Sequence, residues 1–158
     1  MKFIKLGPDY DLNQGFTHKV VIGFADVIAL TSASAYSINP SSARLAVLAA
    51  SAATNPAGTI VKQCAARVTT AFAGGAGTLA ITVGDGGDVA RYLASSDMKT
   101  AAFYGPTLKM PLLYLVADTV DFIITAGTAM TGWTSGEMEI YLELGDINAL
   151  NFPRSSLG

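Results

Sequence analysis

Apolar and polar residues alternate along much of this chain. Leu79, Ile81 and Val83 fall on one side of the run 78–83, and over 137–144 Met138, Ile140, Leu142 and Leu144 face one way while Glu137, Glu139, Tyr141 and Glu143 face the other. A period of two marks a strand with one buried face, because successive Cβ atoms point to opposite sides of the pleat. Glycines break the pattern where the chain has to turn. Gly74, Gly75 and Gly77 tolerate positive φ between the extended runs 59–72 and 78–83, so residues 67–88 read as a hairpin, and 118–144 reads as a second hairpin-like block.

The same reading extends to the rest of the chain. From Phe16 the even positions Phe16, His18, Val20, Ile22 and Phe24 form an apolar strand face. Residues 33–38 allow a short strand closed by Asn39 and Pro40, since proline lacks an N–H for a ladder. The alanine-rich stretch 41–53 is open between helix and strand and leans to strand, because a turn at 55–58 would pair it with 59–72. In that second run Cys64, Ala66, Val68 and Phe72 share one face, and Gln63, Arg67 and Thr69 the other. Residues 85–88, Asp-Gly-Gly-Asp, end a strand, and 89–100 reads as a loop with a short helix capped by Ser95 or Ser96. The run 110–117 is apolar on both faces, as expected of a strand central to a sheet or covered by a neighbouring subunit. In 118–125, Val120, Phe122 and Ile124 point inward and Asp121 outward. Residues 1–15 read as an irregular N-terminal arm, 16–147 as the β-sandwich domain and 148–158 as a C-terminal tail. The expected fold is all-β: an antiparallel, jelly-roll-like sandwich of about eight strands with one short helix.

Composition bears on what such a sandwich does. Only 14% of the residues are charged and 51% are apolar, so the surface is short of charge for a solitary soluble domain and suits a subunit of an assembly. Ten basic residues scattered singly, at net charge −2, supply no stripe for a phosphate backbone, so no nucleic-acid partner is expected. No apolar run reaches the roughly 18 residues of a membrane span, and Gly7, Pro8 and Asp9 interrupt any signal-like start. One cysteine excludes an intrachain disulfide framework.

Catalytic chemistry finds little to work with. His18 is the only histidine, which leaves no multi-histidine metal site, and it reads as a partly buried strand residue. Cys64 lies on an apolar face with no cation fixed near it, so it reads as core. Asp85 and Asp88 are a possible calcium clamp, but the aspartate and glycine composition favours a plain turn. Glu137, Glu139 and Glu143 fall on one strand face and read as a solvated, mutually repelling set. Trp133, in the loop 131–136, is placed either to anchor a partner, to stack on a sugar or to cover the end of the sandwich. No cofactor, metal or enzymatic activity is expected.

The run Arg67 to Asp88 with Arg91, Tyr92 and Leu93 after it, and the run Ala117 to Gly127 leading to Ser135-Gly136-Glu137-Met138-Glu139-Ile140-Tyr141, carry a resemblance. Their order resembles the jelly-roll decoration, or cement, proteins of tailed bacteriophages, over about residues 58–144. The resemblance implies a non-enzymatic virion structural protein that binds the outside of the capsid as a homotrimer, at three-fold or quasi-three-fold junctions of a major capsid protein. It implies assembly in the host cytoplasm and reinforcement of the shell against packaged DNA. The expected partner contacts are Phe3, Ile4, Tyr10, Trp133, Phe152 and Arg154, in the arms and the tryptophan loop. Two alternatives share the fold: a neck, tail or fibre-base component, and a carbohydrate-binding module with Trp133, Tyr104 and Tyr114 as its stacking platform.

Overall fold

The computed structural model of the chain describes residues 2–5, 15–29, 57–106, 111–118, 120–127 and 130–147. The possible strands at 33–38 and 41–53 lie outside the described residues, as do most of the N-terminal arm and the tail. Nine strands are described: β1 (Lys2–Lys5), β2 (His18–Gly23), β3 (Thr59–Ala73), β4 (Leu79–Gly84), β5 (Leu93–Asp97), β6 (Phe103–Tyr104), β7 (Leu112–Leu113), β8 (Asp121–Ala126) and β9 (Ser135–Asp146). They form two antiparallel sheets. Six strands make the larger, in the order β1-β2-β9-β3-β6 with β7 also on β3, and three make the smaller, in the order β5-β4-β8. The described residues form an all-β, jelly-roll-like sandwich with one short α-helix, α1 (Phe24–Ile28).

One buried cluster joins the sheets. From the larger come Val20, Ile22, Val68, Phe72, Met138, Ile140 and Leu142, and from the smaller Leu79, Ile81, Val83, Phe122 and Ile124. These are the residues that the two-residue period places on the apolar faces, and Cys64 is fully enclosed among them. Burying each large aliphatic or aromatic side chain stabilises the fold by about 1.5–3 kcal/mol, so this shared face dominates the energetics.

Pairing departs from the sequence expectation. The glycine turn 74–77 does not close a hairpin: β3 belongs to the larger sheet and β4 to the smaller, so the chain arches from one layer to the other. The second block behaves alike, with β8 in the small sheet and β9 in the large. Alternation reports which face of a strand is buried, and that face is the same for a hairpin and for an arch. The arch needs special backbone at its glycines. Gly74 has φ +96°, Gly77 +85° and Gly136 +136°, and a Cβ added at Gly136 would lie 2.3 Å from Phe72 Cγ.

Five further expectations are corrected. Residues 2–5 are a strand, in register with β2 from Lys2↔Val21 to Lys5↔His18, rather than irregular chain. The strand begun at Phe16 ends at Gly23, where Asp26 Oδ2 accepts the Gly23 N–H at 2.9 Å and the chain turns into α1, burying Val27. The expected helix in 89–100 is strand β5: backbone bonds from Tyr92 N–H to Val83 O and from Met98 N–H to Leu79 O tie both its ends to β4. Ser96 bonds the Ala94 carbonyl instead of capping a helix. The doubly apolar run is not a central strand: among the described residues β7 is two residues long and pairs with Ile60 and Val61 of β3 alone. Asp121 is buried rather than outward; it pairs with Gly84, over which the loop folds so tightly that an added Cβ would meet Asp88 O at 2.0 Å.

Gly136→Ala combines positive-φ strain with a collision against Phe72, and the expected cost is about 2–4 kcal/mol. Gly105→Ala, where an added Cβ meets nothing within 4 Å, is the neutral control. Urea unfolding of the two variants checks the difference.

Candidate interaction surface

The outer face of the six-stranded sheet carries the charges. Glu139 lies between two cations, with Lys19 Nζ at 3.0 Å on Oε1 and Arg67 Nη2 at 2.8 Å on Oε2, and the Tyr141 hydroxyl donates to Oε2 at 2.6 Å. The register aligns these groups, since β9 runs between β2 and β3 with Tyr141 opposite Lys19 and Glu139 opposite Arg67. Glu143 is bound likewise by Lys62 Nζ at 2.9 Å and Gln63 Nε2 at 3.0 Å, and Glu137 accepts from Thr69 Oγ1 at 3.0 Å. The glutamates therefore do not form a solvated, repelling set; each has its own cross-strand donors. Burial pushes the Glu139 carboxyl up, but hydrogen bonds from Tyr141, Lys19 and Arg67 outweigh it and hold the group below its ordinary value. Burial and the bond to Glu139 push Tyr141 up to about 12.

One end of this face is apolar instead. Leu113 lies opposite Ile60 across the β7–β3 ladder, and Ile147 is joined to Gly58 by a backbone bond of 3.0 Å. Leu115 is 82% exposed and Val116 71%, with Leu113 and Ile147 also exposed. What presents them is Tyr114, buried between them and bonded through its backbone to Gly58 and Thr59. Its hydroxyl meets the buried Tyr92 hydroxyl, which donates to Asp85 Oδ2 at 3.0 Å. Asp85 closes the network: Arg91 Nε lies 2.7 Å from Oδ2, and Oδ1 accepts the Gly87 and Asp88 N–H groups. Both Asp85 oxygens are thus engaged by protein donors, which supports the turn reading of 85–88. Burial, then the Tyr114 and Asp85 contacts, push the Tyr92 hydroxyl far up, so it stays a neutral donor.

Of the expected contact residues, Phe3 and Ile4 lie in the edge strand β1, with Ile4 half-buried. Tyr10, Phe152 and Arg154 are outside the described residues. Trp133 is 2% exposed; a Cβ added at Gly75 would lie 2.5 Å from its ring, and Lys99 Nζ sits 5.8 Å from its centroid. Its ring covers the arch rather than facing a partner. Tyr114 is buried too and Tyr104 bonds the Asp97 carbonyl, so the three rings form no stacking platform. His18 is buried, its Nδ1 at 2.8 Å from Thr17 Oγ1. Burial pushes the Cys64 thiol far up, which keeps it protonated and inert. Among the described residues, no three His, Cys, Asp or Glu side chains cluster as metal ligands would. Sequence reasoning noticed the apolar run 110–117 but not which members are bare.

Among solved structures, the fold is similar to that of a chain in the cyanophage Pam1 capsid asymmetric unit, with a TM-score of 0.50 and 18% identity over 78% of this chain and 79% of that one. No protein-family profile and no curated protein matches the chain.

Glu139→Gln removes the charge that Lys19 and Arg67 share, at an expected cost of about 1–2 kcal/mol, held down because both cations are partly in water. The folded-state pKa of Glu139 is lowered, so its contribution is complete above the ordinary glutamate value of about 4.3 and fades as pH falls below it. Denaturation midpoints of the two proteins are expected to differ at pH 7 and to converge in acid.

Proposed function

We propose that this protein is a non-enzymatic virion structural protein that binds the exterior of a bacteriophage capsid, as a decoration or cement protein, and stabilises the shell. The observation that carries the reading is the fold it shares with a chain of a phage capsid asymmetric unit. The alignment takes nearly equal shares of the two chains, 78% and 79%, so that capsid chain is of about this length. Two features of the molecule support it. The side chains with catalytic potential are otherwise engaged: Cys64 is enclosed, Glu139 is held by three donors and Asp85 by four. The surface also keeps bare apolar side chains, which a subunit of an assembly covers and a solitary domain has little use for.

In this reading the partner is the major capsid protein and the working form is a homotrimer on three-fold or quasi-three-fold positions. The terminal segments supply capsid contacts through Phe3, Ile4, Tyr10, Phe152 and Arg154. Each interface is weak by itself, and its repetition around the shell supplies the avidity. The carbohydrate-binding alternative loses its platform with the burial of Trp133 and Tyr114.

The test is co-sedimentation of the purified chain with empty shells of the same phage prepared without it. Saturable binding and a higher shell disruption temperature are expected. A chain that leaves shells untouched but binds isolated tails or necks contradicts the capsid assignment.

A further inference from the structure

Of the described residues 111–118, Tyr114 alone is buried, with Leu112 half-buried against the core. Leu113, Leu115 and Val116 are exposed and contribute little burial to hold the segment down. To the two residues of β7, Tyr114 adds two backbone bonds to the larger sheet: its N–H donates to Thr59 O at 2.9 Å, and its carbonyl accepts from Gly58 N–H at 2.8 Å. Its side chain reaches the other layer. The Tyr114 hydroxyl meets that of Tyr92, in the connection from β4 to β5 of the smaller sheet, and Tyr92 donates to Asp85 Oδ2 at 3.0 Å. One residue therefore ties residues 112–116 to both layers of the sandwich. The anchor on the smaller sheet is firm. Asp85 N–H bonds Asp88 O at 2.9 Å, Tyr92 N–H bonds Val83 O at 2.9 Å, and Asp85 Oδ1 accepts the Gly87 and Asp88 N–H groups. A segment with few buried contacts, tied to a tightly bonded turn, is where local opening costs least, and the segment rather than the turn is what moves.

We propose that residues 112–116 are a strap latched by Tyr114: the strap swings off the edge of the larger sheet as a unit while the sandwich stays folded, and the Tyr114–Tyr92 bond sets how often it does so. Opening carries Leu113, Leu115 and Val116 away from β3, so a hydroxyl pair in the interior governs how the apolar side chains at this edge are presented. The inference concerns the folded chain alone and stands apart from the capsid reading. Removing either hydroxyl weakens the closed strap and leaves the open one as it was, so opening becomes more frequent. Loss of one buried hydrogen bond shifts such an equilibrium by about fivefold.

The experiment is native-state amide hydrogen exchange, read residue by residue by NMR on the full chain in a series of sub-denaturing urea concentrations. The Tyr114 and Gly58 amides report the strap, because each is bonded across its boundary with β3. In wild-type protein their exchange is expected to respond little to urea, since swinging the strap exposes little surface. Tyr92→Phe and Tyr114→Phe are each expected to speed it about fivefold. The double variant is expected to gain less than the product of the two, because both remove the same bond. Tyr104→Phe, which removes a hydroxyl bonded to the Asp97 carbonyl outside the network, is expected to leave it unchanged. Tyr114→Phe and Tyr92→Phe probe one bond independently, so a failure of either to fold leaves the other to decide. Strap amides that follow the rate and urea dependence of the slowest amides of the β3–β9 ladder open only with the whole molecule and overturn the proposal. Exchange that ignores urea yet is unchanged in both variants assigns the opening to fraying of residues 57–59 and overturns the latch. An equal acceleration in Tyr104→Phe, or a double variant at the full product, overturns it as well.

Discussion

The long ladder between β3 and β9 sets the geometry of everything else. It holds the centre of the larger sheet, and its register has to bring two apolar faces to the same side over fifteen and twelve residues. A slip of one residue would turn a strand's entire apolar set outward. The ladder absorbs its mismatches in three irregularities, between Val61 and Gln63, Val68 and Thr70, and Thr70 and Ala73. At the first, Lys62 and Gln63 both escape the core and both reach Glu143, while Val61 and Cys64 on either side stay buried. The bulge thus converts a packing requirement into a feature of the surface.

From that register follows the division of the outer face. Where β2, β9 and β3 run side by side, each carboxylate of β9 meets donors from its neighbours, and the sheet is covered by satisfied polar groups. Such groups contribute modestly to stability and offer little reason for another protein to displace them. Beyond Glu143 the pattern ends. Gly145 and Gly58 bring no side chain, β7 arrives through Tyr114, and apolar residues are left bare. A buried polar network maintains that bareness, since Tyr114 cannot turn outward without giving up its hydroxyl bond to Tyr92 and its backbone bonds with Gly58 and Thr59. The satisfied core thus holds an apolar surface in place.

The strand faces were legible in the sequence because the two-residue period responds to burial alone. Leu79, Ile81 and Val83, then Met138, Ile140 and Leu142, lie where that period puts them. Pairing was not legible, for the glycine turn after Ala73 serves a hairpin and an arch equally, and which one forms depends on strands distant in the chain. The segment Leu93–Asp97 shows tertiary context overriding local signals: its serines and aspartate suit a cap, but the backbone of β4 binds both its ends. Trp133 was ambiguous because a ring beside glycines suits an exposed anchor and a lid alike, and the glycine-sized space at Gly75 decides for the lid. The doubly apolar run did not reveal which of its members the chain itself covers: Tyr114 is buried, whereas Leu115 and Val116 are bare.

The account stands on the claim that this sandwich is an outer component of a phage shell. A cryo-electron-microscopy reconstruction of the intact particle tests that most directly. The account predicts density for a two-layered β-sandwich on the outer surface, at three-fold and quasi-three-fold positions in clusters of three. A fully accounted-for shell surface with the sandwich found in the neck or tail, or absent from the particle, would contradict it.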